Sequence, residues 1–557
     1  MTPVEQTRPL EGFRASMGNG TRPADERVAV VVVHGMGQQV PFETLEGVAD
    51  AIRAGLPASE GTPEIRTMFV ELGSSAVPRA ELTLAGPPRR DVHLYEAYWA
   101  PLTEAKVTIK DVLDFVFSAI ANVLRHGRST SFDRVMFNWL VPFPTGAASL
   151  GLILLAGLVL LALVATVTMA GLVATAGVLT WARAPWVTPQ LIVNFTLDLL
   201  LFAVFAGGGA GLALVLPGRF RSGSRAHGVP PRAVRTLAWA SMIVALVAVL
   251  VTPVLMARHL VGHRDTVDAL WNAIGLGWLG NALAFGEHRY VARVLVIAIW
   301  LLAAAIWTKA RTIIIQFPGD VAVYASSHRV SRFAEVRDAI QAKTLDIFRG
   351  VYAMTQNGRA AYDRVIIVGH SLGSVVAYDC LNKLTIQDGA EGLGLRVSER
   401  TALFLTFGSP LDKIAYVFRV QRPKECLLRE TMSEARQPFI LDYKFRPRRW
   451  VNLYSRSDLI GAKLDYFDLP TPTPAQAPNG QAQRVCNLED PDAFTPLAAH
   501  TEHWRGRLLA HVLGQAVADV DSDCVALNRF VEGLRSGTGS AIPSERPGGQ
   551  PSAHPNR

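Results

Sequence analysis

Cysteine is scarce in this 557-residue chain. The four present (Cys380, Cys426, Cys486 and Cys524) are widely spaced, with no CxxC pair and no cluster at metal-ligand spacing. We therefore expect no metal, no cofactor and no disulfide framework, with the thiols in a reducing compartment. No Lys/Arg run interleaved with aromatics occurs, so nucleic acid is not an expected partner, although Lys and Arg (55) outnumber Asp and Glu (47). Residues 1–26 are polar, with Gly, Pro and charges. They lack the apolar core of a signal peptide and read as a disordered tail. The most informative absence is of charge itself, over long internal stretches.

Half of the residues are hydrophobic and the mean hydropathy is +0.23, high for a soluble enzyme. From Gly146 to Trp181 there is no charged residue, and from Ala184 to Gly218 only Asp198. Thr236 to Ala257 is again uncharged, and Tyr290 to Thr308 carries only Arg293. A bilayer core takes about 20 apolar residues per helix. The pattern predicts about four transmembrane helices (148–175, 190–216, 236–257 and 290–308) inside an insertion covering 136–311. Trp271 to Phe285 is apolar but short, and reads as interfacial or re-entrant. Asp198 is expected near the outer interface, and the glycines Gly207, Gly208, Gly209 and Gly211 in close helix packing.

Arginine sets the orientation. Arg125, Arg128 and Arg134 precede the first span; Arg219, Arg221, Arg225, Arg232 and Arg235 lie between the second and third; Lys309 and Arg311 follow the fourth. The positive-inside rule places these segments, and both termini, on the cytoplasmic side. An even number of spans returns the chain to the side from which it started. The two flanking parts, 27–135 and 312–534, can then form one domain, followed by a Gly/Ser/Pro-rich tail, 535–557.

The second part contains the stretch that carries chemistry. Val365 to Val368 is an apolar run that reads as a buried strand, and Ser374 to Leu384 reads as a helix. Between them stands Gly369-His370-Ser371-Leu372-Gly373. A serine flanked by glycines at a strand-to-helix turn is the nucleophile-elbow pattern, in which Gly369 and Gly373 allow the tight approach. A serine needs a base, and the base an orienting acid. Downstream, Asp458 follows the strand candidate Trp450 to Tyr454, with Asp412 and Asp465 as alternatives. His500 is the base candidate and His503 its rival. The oxyanion hole needs two N–H donors. Leu372 supplies one. The other is expected from Met36, in His34-Gly35-Met36-Gly37, which follows the β-branched run Val28 to Val33; His34, Gly35 and Gly37 support that loop. Ser374 and Asp379 read as helix residues.

Taken together, these motifs resemble the α/β-hydrolase superfamily. His34-Gly-Met-Gly37 matches its oxyanion loop and Gly369-His-Ser-Leu-Gly373 its elbow. Ser371 to Asp379 and Gly408-Ser-Pro-Leu411 are locally similar to DDHD-type intracellular phospholipases and lipase-like serine esterases. The resemblance covers roughly 27–100 and 312–520. It implies an α/β-hydrolase fold, a mostly parallel sheet with flanking helices, here interrupted by the membrane insertion. The expected protein is a multi-pass membrane serine hydrolase. It would cleave a carboxylic ester, of a lipid or other acyl substrate, with the lipid bilayer as partner. The alternative is a catalytically silent, hydrolase-like membrane scaffold or transport-associated protein.

Overall fold

The computed structural model describes residues 26–36, 40–57, 63–103 with short gaps, 232–261, 331–414, 437–465 and 484–536 with short gaps, and scattered positions between 106 and 324. Six apolar residues in a row, Val28 to Val33, have no polar face, so their strand needs cover on both sides. That strand, β1 (Glu26–Val33), has every residue from Val28 on buried. Val28, Val30 and Val32 face one core, and Ala29, Val31 and Val33 the other.

Three strands follow on one side of β1. They are β2 (Glu64–Leu72), β3 (Ser75–Leu84) and β4 (Arg90–Ala97). After a small hairpin, β5 (Thr355–Gln356) with β6 (Arg359–Ala360), come β7 (Arg364–His370), β8 (Thr401–Phe407), β9 (Trp450–Tyr454) and β10 (Cys486–Glu489). The main sheet has eight strands in the order β10-β9-β8-β7-β1-β4-β3-β2. The pairs from β10 through to β4 are all parallel, and β3 runs antiparallel to both of its neighbours. The chain is thus an α/β protein with a mostly parallel mixed sheet. β1 pairs with β7 across more than 330 residues of sequence, so the two flanking parts are one sheet.

Helices cover both faces. α1 (Glu43–Gly55), α5 (Arg507–Val517) and α6 (Cys524–Ser536) pack on the side of Val30. α3 (Ser331–Ala353) and α4 (Leu372–Glu391) pack on the side of Val31. The remaining long helix, α2 (Arg232–Val261), contains Thr236–His259, the one helix among the described residues that is long and apolar enough to cross a membrane. It coincides with the third expected span, 236–257. Among the other three, 290–308 lies outside the described residues, 148–175 does so apart from isolated positions, and 190–216 is described only in part. Among the described residues there is thus one such helix, and the four-span arrangement falls largely on residues outside them. Asp198 is fully buried, with its carboxylate 3.2 Å from Nε2 of His259, the last residue of the Thr236–His259 helix.

Three further features of the fold go beyond the sequence pattern or correct it. Strand β3 was not anticipated, because Pro78 interrupts its pattern. Pro78 is tolerated because it pairs with β2 only, beyond the residues that pair with β4. The stretch from Ala499 onward is not one helix: it comprises a short turn of helix (Ala499–Glu502), a 3₁₀ turn (His503–Arg505) and α5, with extended Gly506 at the break. Finally, Cys486 and Cys524 form a disulfide. Their separation of 38 residues gave no sign of this; β10 and α6 bring them together. Gly37 and both expected tails, apart from Glu26, Arg535 and Ser536, lie outside the described residues.

Candidate active site

The site forms at the carboxyl ends of β1, β7, β8 and β9. Ser371 joins β7 to α4 with φ 53° and ψ −131°, a backbone conformation that a residue with a Cβ rarely adopts. What enforces it is crowding. A Cβ on Gly373 would fall 2.2 Å from the carbonyl oxygen of His34 and 2.3 Å from that of Val33, so only glycine lets α4 sit this close to β1. On the other side of the turn, a Cβ on Gly369 would meet the Ser374 Cα at 2.6 Å. Ser371 N–H donates to Phe407 O (3.1 Å), tying the turn to β8. The serine occupies the N-cap position of α4 without spending its hydroxyl on capping. Its Oγ is buried and has no hydrogen-bond partner among the described residues.

The acid and base come from separate loops. After β9, Asp458 sits in a turn in which its Oδ1 accepts the Ile460 N–H (2.8 Å), a local bond of the kind Asp favours. Its Oδ2 faces His500 Nδ1 at 3.0 Å. His500 lies on the short helix clamped by Glu502, whose carboxylate accepts the Phe494 and Thr495 N–H groups and the Thr495 hydroxyl. Room for the imidazole is left by Gly408, at φ +56°, where a Cβ would approach the His500 ring to 2.9 Å. The carboxyl of Asp458 resists burial but is held well below its ordinary pKa by the two histidines beside it.

His503 differs from His500 in access. His503 and Asp458 have fully buried side chains, whereas the His500 side chain is 13% exposed. Nδ1 of His503 pairs with Asp490 Oδ2 at 2.9 Å, and its Nε2 stands 3.8 Å from Asp458 Oδ2, an electrostatic contact rather than a hydrogen bond. Among the two expected bases, His500 is the one with both a carboxylate partner and an open edge. Asp412 is buried in the turn after β8, but the acid at hydrogen-bond distance from His500 is Asp458. The third link is not made: Ser371 Oγ and His500 share no hydrogen bond in this structure.

His34 explains how the loop after β1 is held. Its Nδ1–H donates to Gly35 O (2.8 Å), while Nε2 accepts from the N–H groups of Trp99 (2.8 Å) and Ala100 (3.2 Å). Two donors converging on Nε2 require the neutral Nδ1–H tautomer. Burial favours the same form, lowering the pKa to about 4. Trp99 also stacks on the ring, with centroids 4.6 Å apart. The loop so fixed passes directly over the elbow, since a Cβ on Gly35 would lie 2.9 Å from Ser371 Cβ. Met36 is buried in this loop, and Leu372 begins α4. Both expected oxyanion donors therefore belong to backbone that borders Ser371.

Two groups escaped the sequence reading. His370 donates from Nε2 to His500 O (3.2 Å), pinning the backbone of the proposed base; burial holds its own pKa well below the ordinary value. A histidine directly before the serine was the only available signal. Asp490, 13 residues before His503, had none. As expected, Ser374 and Asp379 are helix residues. The Ser374 hydroxyl donates to Ser371 O, and Asp379 accepts from Tyr324, Arg337 and Gln341. The chain matches no protein-family model, and no curated protein or solved structure is significantly similar to it.

Proposed function

We propose that this chain is a serine hydrolase of the α/β-hydrolase type, anchored in a membrane, that cleaves carboxylic esters of lipid or other acyl substrates. The observation that carries the reading is Ser371. It is a strained serine with an unspent hydroxyl, in a turn bordered by the His34–Met36 loop and by the Asp458–His500 pair. Strain of about 1–3 kcal/mol at one residue persists only where surrounding structure enforces it, and it concentrates at functional sites. The strand–serine–helix turn, the adjacent oxyanion strand and the chain order Ser371, Asp458, His500 are those of the α/β-hydrolase pattern.

In this mechanism His500 Nε2 takes the Ser371 proton as Oγ attacks the ester carbonyl carbon. Asp458 holds the Nδ1–H and stabilises the imidazolium. The N–H groups of Leu372 and Met36 receive the developing oxyanion. His500 then protonates the departing alcohol, leaving an acyl group on Ser371. A water, deprotonated by the same histidine, attacks the acyl carbon; the Ser371 Oγ–acyl bond breaks, His500 returns the proton to Oγ, and the carboxylic acid leaves. A side-chain movement must close the Ser371–His500 contact, as free enzymes often require.

The membrane proposal rests on the Thr236–His259 helix and on the uncharged stretches around it, with four spans as the arrangement that returns both halves to one side. The arginine distribution supports a cytoplasmic catalytic domain; the Cys486–Cys524 disulfide opposes it, since such bonds persist in oxidising compartments. Fluorophosphonate labelling tests the activity. Wild-type protein labels on Ser371 and Ser371→Ala does not; folded wild type that fails to label removes the hydrolase reading. The unmade Ser371–His500 bond is the one observation favouring a silent scaffold, and that failure is the result the scaffold requires.

A further inference from the structure

Beyond the triad, a buried histidine beside the site has no task in the mechanism. His503 is fully enclosed, yet each of its ring nitrogens faces a carboxylate: Asp490 Oδ2 at 2.9 Å and Asp458 Oδ2 at 3.8 Å. Carboxylate oxygens are acceptors, so both nitrogens are best matched as N–H donors, which is the imidazolium form. The geometry points to His503 as a cationic positioning residue. Clamped between Asp490 and Asp458, it keeps Asp458 ionised and sets the basicity of His500 from behind. The inference rests on the hydrolase reading above and adds a second layer to it.

The surroundings are consistent with that role. Asp490 is held by its own contacts: its N–H donates to Tyr454 O (2.8 Å), and its Oδ1 accepts the Asp492 N–H (3.0 Å). Gly506 leaves its carboxylate room, since a Cβ there would come within 2.7 Å of Oδ2. The groups that face His503 from the packed elements are Asp458 after β9, Asp490 after β10, His500 on its own short helix and His370 at the end of β7. Arg507 lies beyond Asp490; Lys413 and Asp412 lie beyond Asp458. Burial alone would drive the ring neutral, but the two carboxylates outweigh it and raise its pKa to about 9. A single carboxylate serving both histidines explains how Asp458 stays ionised although fully buried, where an unpaired charge is costly.

Removing the cation leaves Asp490 and Asp458 uncompensated behind His500, which raises the pKa of that base. The test measures the rate of Ser371 labelling by a fluorophosphonate against pH, on the full-length chain in detergent. We expect His503→Gln to have its acid limb moved upward by about one pH unit, so that labelling is about tenfold slower on that limb and nearly unchanged on the plateau above it. His503→Asn, a shorter neutral amide, removes the same cation and moves the limb the same way, and it carries the test if His503→Gln does not fold. A purely structural role would lower thermal stability or rate and leave the limb in place. Wild type that labels, with variants sharing its limb, overturns this inference and leaves the hydrolase reading standing. Wild type that never labels overturns both.

Discussion

Replacing Ser371 by glycine and by alanine separates backbone strain from chemistry. At φ 53° and ψ −131° the serine pays for its position, and alanine keeps that cost because it keeps the Cβ. Glycine removes it. The relief is about 1–3 kcal/mol, against about 0.5–1 kcal/mol of extra chain entropy that glycine loses on folding. Ser371→Gly should therefore be more stable than Ser371→Ala by about 0.5–2 kcal/mol. At the shift of about 2–4 °C per kcal/mol typical of larger domains, that is an apparent Tm higher by about 1–8 °C. The Ser371 Oγ makes no hydrogen bond among the described residues and is removed in both variants, so its loss does not blur the comparison. Thermal unfolding of the three proteins in one detergent, at one scan rate, reads the difference, while fluorophosphonate labelling is lost in both variants. Alanine equal to or more stable than glycine would refute the enforced elbow.

Gly408→Ala places a methyl 2.9 Å from the His500 ring at a backbone φ of +56°. It should cost about 1–2 kcal/mol in stability and about a hundredfold in labelling rate as the ring leaves Asp458, with circular dichroism showing an intact fold. Asp458→Asn removes the acceptor that orients His500 and should reduce ester hydrolysis by about 10³–10⁴-fold, which steady-state kinetics would show. Stability should peak near pH 6.5. The buried neutral His34, with its pKa lowered to about 4, loses stability as pH falls from 6.5 toward 4, because the unfolded chain binds that proton first. His503, raised to about 9, contributes fully below 6.5 and loses its contribution as pH rises through 9. Apparent Tm across pH 4–10 tests both arms, and a plateau from 6.5 to 9 would contradict the second. Reducing Cys486–Cys524, which are 38 residues apart, should lower stability by about 4 kcal/mol on the chain-entropy account. Thermal unfolding with and without dithiothreitol measures it, and an unchanged Tm would count against the bond.

Local pattern alone located the strands that matter. Val28 to Val33 and Val365 to Val368 are apolar runs that allow no other placement than a sheet covered on both faces. The glycine spacing around Ser371 specified the elbow, because the steric demand there is local: Gly373 is needed within two residues of the serine it serves. The uncharged stretch from Thr236 to Ala257 likewise dictated a long apolar helix. Where a feature depends on residues distant in sequence, the pattern was silent. Pro78 hid β3 because its tolerance depends on which neighbour strand ends first. The Cys486–Cys524 bond needed β10 and α6 side by side.

The choice between His500 and His503 shows the division most clearly. Only three residues apart, they are hard to separate by sequence, which favours His500 and leaves His503 as its rival. The tertiary structure opens one to 13% exposure and seals the other against Asp490. Sequence determined that a serine sits in a strained turn after a buried strand, since nearest-neighbour sterics act within a few residues. Which carboxylate meets which imidazole was decided only by the packing of three separate loops, because hydrogen bonding demands ångström placement that no local pattern encodes.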